Sequence, residues 1–212
     1  MQIKHQDNCC AVNLENAEGK NLKTVLFLVF FINFGMFFVE AVSGLTARSN
    51  ALLADSLDML GDAFVYGISI AVLSKHPSVR AKGSLVKGAV MLGLGLLVVG
   101  QSILKIINPI VPVAETITVI GSLALLANAA SFALLLKHKA KDLNVRSAWI
   151  CSRNDVVANI GVIIAGLLVA RFNSIWPDIT AGLIIAFIVI RSAVQIIKEA
   201  WKHMNLKELA VE

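Results

Sequence analysis

Residues 50–64 read Asn50-Ala51-Leu52-Leu53-Ala54-Asp55-Ser56-Leu57-Asp58-Met59-Leu60-Gly61-Asp62-Ala63-Phe64. The run is apolar enough to be buried and has no proline to break a helix. Yet it carries three aspartates. Asp58 and Asp62 are spaced i, i+4 and Asp55 precedes Asp58 by three, so on a helix all three share one stripe. A second apolar run repeats the device: Cys151 and Asp155 are again four apart. A carboxylate near a bilayer midplane costs about 2.5–3.5 kcal/mol on insertion scales, so such residues mark function by default. Their simplest joint use is to hold a divalent cation between two transmembrane helices.

The rest of the chain supports a membrane setting. Its 212 residues are 57% hydrophobic and only 16% charged, whereas about a quarter of a soluble domain is charged. Mean hydropathy is +0.77. A spanning helix needs about 20 apolar residues, and six stretches qualify: 24–42, 50–73, 83–104, 116–136, 145–170 and 175–197. The expected fold is all-α: an integral membrane bundle of six transmembrane helices, both termini cytosolic. Residues 1–23 form an N-terminal arm, 24–197 the transmembrane domain and 198–212 a short tail. The first stretch reads as a span and not as a cleaved leader, being longer than the roughly 7–15 residues of a signal-peptide core.

Orientation follows from basic residues. With the N-terminus inside, thirteen Lys and Arg fall on the cytosolic side against Arg48, Lys105 and Arg171 outside, with Lys87, Arg153 and Arg191 left within spans. The net charge of +5 is mostly this topological bias, not a footprint for nucleic acid. Asn108, Pro109 and Pro112 break the chain between the third and fourth spans, and Asn173, Trp176 and Pro177 mark the turn into the sixth. Gly88, Gly93, Gly95, Gly161 and Gly166 read as packing residues at close helix contacts.

Three cysteines, two of them adjacent at Cys9 and Cys10, make no disulfide framework. With His5 and Asp7 they form a soft-ligand cluster on the N-terminal arm, read either as incidental or as a loose capture site for metal. Within the spans, Asp58, Asp62, Cys151 and Asp155 are the candidate metal ligands. Asp55 is either a further ligand or a hydrated, capping acid nearer the external end. Arg153 supplies the competing reading, in which Asp155 is merely ion-paired.

Two stretches carry a resemblance. Glu40-Ala41-Val42-Ser43-Gly44 followed by Ser49 through Asp62 is similar to the first two spans of cation diffusion facilitator transporters. Ala148-Trp149-Ile150-Cys151-Ser152-Arg153-Asn154-Asp155, with Asn159 through Ala165, is similar to their fifth. Asn128 falls where that family often has an intramembrane asparagine. The resemblance implies a homodimer, a moving four-helix portion containing the second and fifth spans, and the four ligands above. Two departures stand out. Cys151 occupies a position where the family usually has His, and Asp58 one where many zinc members have His. Relatives also carry a cytosolic ferredoxin-like domain after the sixth span, so the expectation for a chain ending at Glu212 is a short member whose dimer forms through membrane helices.

Three carboxylates and a thiolate supply the four donors that tetrahedral zinc prefers, and the thiolate shifts preference toward zinc and cadmium over harder ions. Four negative charges cannot persist on an empty site in a low-dielectric bundle, so protons occupy it and a bound metal displaces them. The expected function is therefore proton-coupled efflux of zinc or cadmium across the cytoplasmic membrane by alternating access. Metal is the substrate, protons are the counter-ion, and no cofactor is required. The alternatives are a non-transporting membrane subunit or a small cation channel. An enzyme is disfavoured, since the spans hold no HExxH, nucleotide loop or nucleophile–base pair.

Overall fold

In the computed structural model the described residues are 20–71, 77–136 and 143–208, with side chains described over 24–67, 83–136, 155–198, 200 and 201. They form six helices and, among the described residues, no strand: α1 (Lys20–Ala47), α2 (Asn50–Ala71), α3 (Pro77–Ile107), α4 (Ala114–Leu136), α5 (Leu143–Phe172) and α6 (Trp176–Glu208). All six follow the expected stretches in order, and most run a few residues beyond them. His5, Asp7, Cys9 and Cys10 lie outside the described residues.

The helix ends have local causes. Arg48 stops α1 by adopting a left-handed backbone, φ 54°. Ser49 N–H then donates to Gly44 O at 2.8 Å and Arg48 N–H to Leu45 O at 3.3 Å, the paired bonds of a Schellman cap. Asn173, φ 47°, stops α5 with a single bond from its N–H to Val169 O at 2.8 Å. Asparagine tolerates that conformation better than most side chains. Residues 108–113 leave the helix between α3 and α4, as the prolines require, and Val113 N–H donates to Ala47 O at 3.1 Å. That bond brings the α1–α2 and α3–α4 turns together at one end of the bundle.

Five helices contain segments long and apolar enough to cross a membrane: Thr24–Ala47, Gly83–Ile107, Ala114–Leu136, Asp155–Phe172 and Trp176–Lys198. The exception is α2. Its 22 residues span about 33 Å at 1.5 Å per residue, enough for a bilayer core, but its three aspartates dilute its hydropathy. Packing resolves the conflict, because α2 is the hub and touches all five other helices. Its buried positions run round the whole cylinder, from Ala51 and Leu52 to Met59, Ala63 and Tyr66. Among the described residues of the helices, the large exposed apolar side chains belong to the other five, such as Phe31, Leu97, Leu126, Val157 and Phe187. A bilayer would meet those five helices and leave α2 inside.

Around the hub, α1 packs on α2 and α4, α4 on α5, and α3 on α6. Gly88 and Gly95 serve the α3–α6 contact: a Cβ on either would stand 2.7 Å from Ile197 or Ile190. Gly166 does the same for α5 against Thr118 of α4. Gly93 and Gly161 differ from the expectation, since a Cβ there would meet nothing within 4 Å. Those two sit on outward faces, where the absent side chain serves no helix contact within this chain.

Candidate metal-ion site

The stripe foreseen on α2 exists and is turned inward. Asp55 is 1% exposed and Asp62 8%, while Asp58 between them is half-buried. One face of α5 meets this stripe. It carries Asp155 and, a turn later, fully buried Asn159, whose Nδ2 donates to Asp155 O at 2.8 Å. Further along the same face Val162, Ala165 and Val169 are buried, so ordinary apolar packing sets the angle at which Asp155 is presented. Its carboxyl comes within hydrogen-bonding reach of both Asp58 and Asp62. Two carboxyl groups can share a hydrogen bond only if one keeps a proton, and without protons they repel, so this junction needs a cation of some kind.

Among the described residues no three His, Cys, Asp or Glu side chains already stand grouped to hold an ion. Cys151 lies on the α5 helix one turn before Asp155, but its side chain is outside the described residues, as is that of Arg153. Asn128 of α4 is buried, 2% exposed, as expected of an intramembrane asparagine.

Asp55 is placed differently from its neighbours. It faces α1, where Glu40 approaches within hydrogen-bonding reach. Glu40 is fully buried, and neither of its carboxyl oxygens nor Oδ2 of Asp55 has a conventional donor as a partner. Glu40 could have been flagged from sequence as the one acid in an otherwise apolar first span. Its partner could not.

Lys87 of α3 is the second residue whose importance only the structure shows. It is buried, and Asp62 and then Asp58 are the acids whose charge acts on it.

At the turn end of the bundle lies a separate polar cluster. Asp178 of α6 is fully buried and accepts four hydrogen bonds. Ser49 Oγ donates at 2.6 Å and Ala51 N–H at 3.2 Å to its Oδ1, while Asn50 N–H and Lys105 Nζ each donate at 2.8 Å to Oδ2. Two of these donors are the first free N–H groups of α2, so a carboxylate from another helix caps it and meets its positive end. Ser49 Oγ also accepts from Leu52 N–H at 3.1 Å, a conventional N-cap bond. Lys105 completes the cluster by donating to Arg48 O at 2.6 Å. This lysine is therefore not in the external turn to which the sequence assigned it. It is a buried ion-pair partner in the last turn of α3.

The profile of the cation efflux transmembrane domain matches residues 26–204, nearly the whole described bundle. A cadmium, cobalt and zinc/H(+)-K(+) antiporter of Bacillus velezensis is 25% identical over 89% of this chain and 64% of its own length. The zinc transporter ZitB of Escherichia coli is 27% identical over 86% of this chain and 62% of its own. The metal cation efflux system protein CzcD of Cupriavidus metallidurans is 24% identical over 71% and 52%. The chain thus spans less than two thirds of the length of these curated relatives. Six helices in the expected order, and a family profile that covers most of the chain, leave one assignment: the chain belongs to the cation efflux transmembrane-domain family.

Proposed function

We propose that this chain exports zinc or cadmium across the bacterial cytoplasmic membrane in exchange for protons, by alternating access, with the ion held by Asp58, Asp62, Cys151 and Asp155. The observation that carries the proposal is the approach of Asp155 on α5 to both Asp58 and Asp62 on α2, inside an apolar bundle. A dication satisfies such a group of acids and so do protons, but the two compete for the same oxygens. A site that faces each side in turn therefore exchanges one for the other. The names of relatives support both halves of this cycle, printing zinc and cadmium as cargo and H(+) as a counter-ion. Asp55, turned toward Glu40, is a neighbour of the ion in this reading and not a ligand.

In this reading α1, α2, α4 and α5, linked by the α1–α2, α1–α4 and α4–α5 contacts, move against the α3–α6 pair, which they meet through α2–α6, α2–α3 and α5–α6 contacts. Rocking the first group against the α3–α6 pair would expose the α2–α5 junction to one side and then the other. The chain acts as a homodimer in this reading, which cross-linking in native membranes tests: a strictly monomeric, fully active protein excludes it.

The deciding experiment uses proteoliposomes loaded with a metal-sensitive dye under an imposed pH gradient. Saturable uptake driven by the gradient is expected. Ohmic conductance would instead mean a channel, and no flux with either ion would remove the transport reading.

Selectivity turns on the thiol. Zinc accepts thiolate and imidazole alike, whereas softer cadmium favours thiolate. Cys151→His is expected to lower the cadmium-to-zinc transport ratio, and Cys151→Ser to lower it further by removing the soft donor. An unchanged ratio in both variants takes Cys151 out of the site.

A further inference from the structure

Lys87 stands out because nothing in the packing of the fold calls for a charge there. It lies inside the apolar segment Gly83–Ile107 and is 7% exposed. The same helix has a second buried lysine, Lys105, which is held by a carboxylate at 2.8 Å and a carbonyl at 2.6 Å in the cluster at the turn end. Among the described residues Lys87 has no such housing. The charges acting on it are those of Asp62 and Asp58.

The backbone gives an independent reason for this placement. Met91 lies one turn after Lys87, on the same face of α3. That face is pressed on α2, because a Cβ at Gly61 would stand 2.8 Å from the Met91 terminal methyl. Gly61 immediately precedes Asp62. The next residue of α3, Gly88, seats the helix against α6 near Ala193 and Ile197. With α3 wedged between α6 and α2 in this register, the Lys87 face is directed at the acid stripe.

We propose that Lys87 is the fixed counter-charge of the metal site, a residue that sets how tightly the site holds a dication. The inference rests on the ion-binding reading of Asp58, Asp62 and Asp155. Three carboxylates, the Cys151 thiolate and one ammonium carry a net charge of −3, which a single dication reduces to −1. Without the ammonium the same dication would leave −2 inside the bundle, where charge is costly. A positive charge on the rim of the site repels the incoming ion and weakens binding. It thereby allows three carboxylates to serve a transporter, which has to release its cargo as well as bind it. Lys87 in this role does not touch the ion.

The test measures equilibrium binding of Zn²⁺ and, separately, Cd²⁺ to purified full-length protein at one fixed pH, for the wild type, Lys87→Gln and Lys87→Arg. Thermal melts with and without metal accompany each titration. Lys87→Gln is expected to bind each ion at least tenfold more tightly and to show a larger metal-induced rise in melting temperature, while its transport turnover falls. Lys87→Arg, which keeps the charge, is expected to stay near the wild type in affinity. Unchanged or weaker binding in Lys87→Gln overturns the proposal. So does equal weakening in both variants, which would make Lys87 a packing residue or a nitrogen ligand. If the wild type binds neither ion, the failure belongs to the metal-site reading itself. Should a variant fail to fold, Lys87→Met serves as a second neutral substitution, with the same tightening expected and the same failure to tighten counting against the proposal.

Discussion

Two groups of buried polar residues lie along α2, and they are completed in opposite ways. At the N-terminus, Asp178 uses both carboxylate oxygens twice over, and every donor it meets comes from α2, its cap residue or Lys105. Deeper in the helix, Asp55 faces a Glu40 with no conventional donor on either oxygen, and Asp155 crowds Asp58 and Asp62. One cluster is neutral overall and saturated with hydrogen bonds. Among the described residues the other has an excess of acceptors and too few donors. Buried polar groups that only stabilise are paired. In the proposed function the second set is the one that receives positive charge. The difference separates structure from chemistry on a single helix.

Close approach of backbones underlies the saturated cluster. Gly182, one turn after Asp178 on α6, would place a Cβ 2.7 Å from both the carbonyl carbon and oxygen of Asn50. Only a residue without a side chain allows α6 close enough for Asp178 to reach the first N–H groups of α2. The two helices are thus joined at one end, and the acid stripe hangs from that fixed point.

The largest expected effect lies in the unsaturated set. Asp62→Asn and Asp155→Asn each keep the shape of the side chain and remove the charge, so both should reduce metal transport to background while melting temperature is held or raised. Vesicle transport assays run beside thermal melts in mild detergent would show this. Normal transport in both variants would erase the distinction between the clusters.

Next in size is Asp178→Ala, which strands Lys105 without its ion-pair partner. Breaking one side of a buried pair costs about 3–5 kcal/mol, so a marked drop in the unfolding midpoint is expected. The fraction that remains folded should bind metal with near wild-type affinity. Loss of binding in that folded fraction would mean that the turn-end cluster takes part in the chemistry. Adding Lys105→Met to Asp178→Ala should recover much of the stability, because the stranded charge is then gone.

The smallest effect has the opposite sign. Glu40→Gln supplies an N–H donor to Asp55 in place of a second acid, and a net hydrogen bond is worth about 1 kcal/mol. The variant should therefore melt at a slightly higher temperature than the wild type. A lower melting temperature would show that the Glu40 carboxyl itself holds α1 against α2.

Much of this was legible from residues alone, for reasons of length and period. About 20 apolar residues in a row have few fates other than a membrane span, and Pro109, Pro112 and Asn173 punctuate those runs because of their backbone chemistry. The i, i+4 spacing of Asp58 and Asp62 placed them on one face, and that of Cys151 and Asp155 did likewise. Other features resisted. Lys105 counted as a turn residue because charge at a helix end is ordinarily solvated, and Gly93 and Gly161 looked like packing residues although they face outward. Lys87 read only as a charge left inside a span.

What the sequence determined by itself was each helix: where it runs, which residues share its faces and which of them are too polar to meet lipid. The partner of each face was decided by tertiary structure. Glu40 meets Asp55, Lys87 is directed at Asp62, and Lys105 pairs with Asp178 on a helix far along the chain. Helical periodicity depends on neighbours three and four residues away, so it carries no information about which other helix a face will touch. That choice is made only when six helices compete for the same interior, and the one with three aspartates along its middle takes its centre.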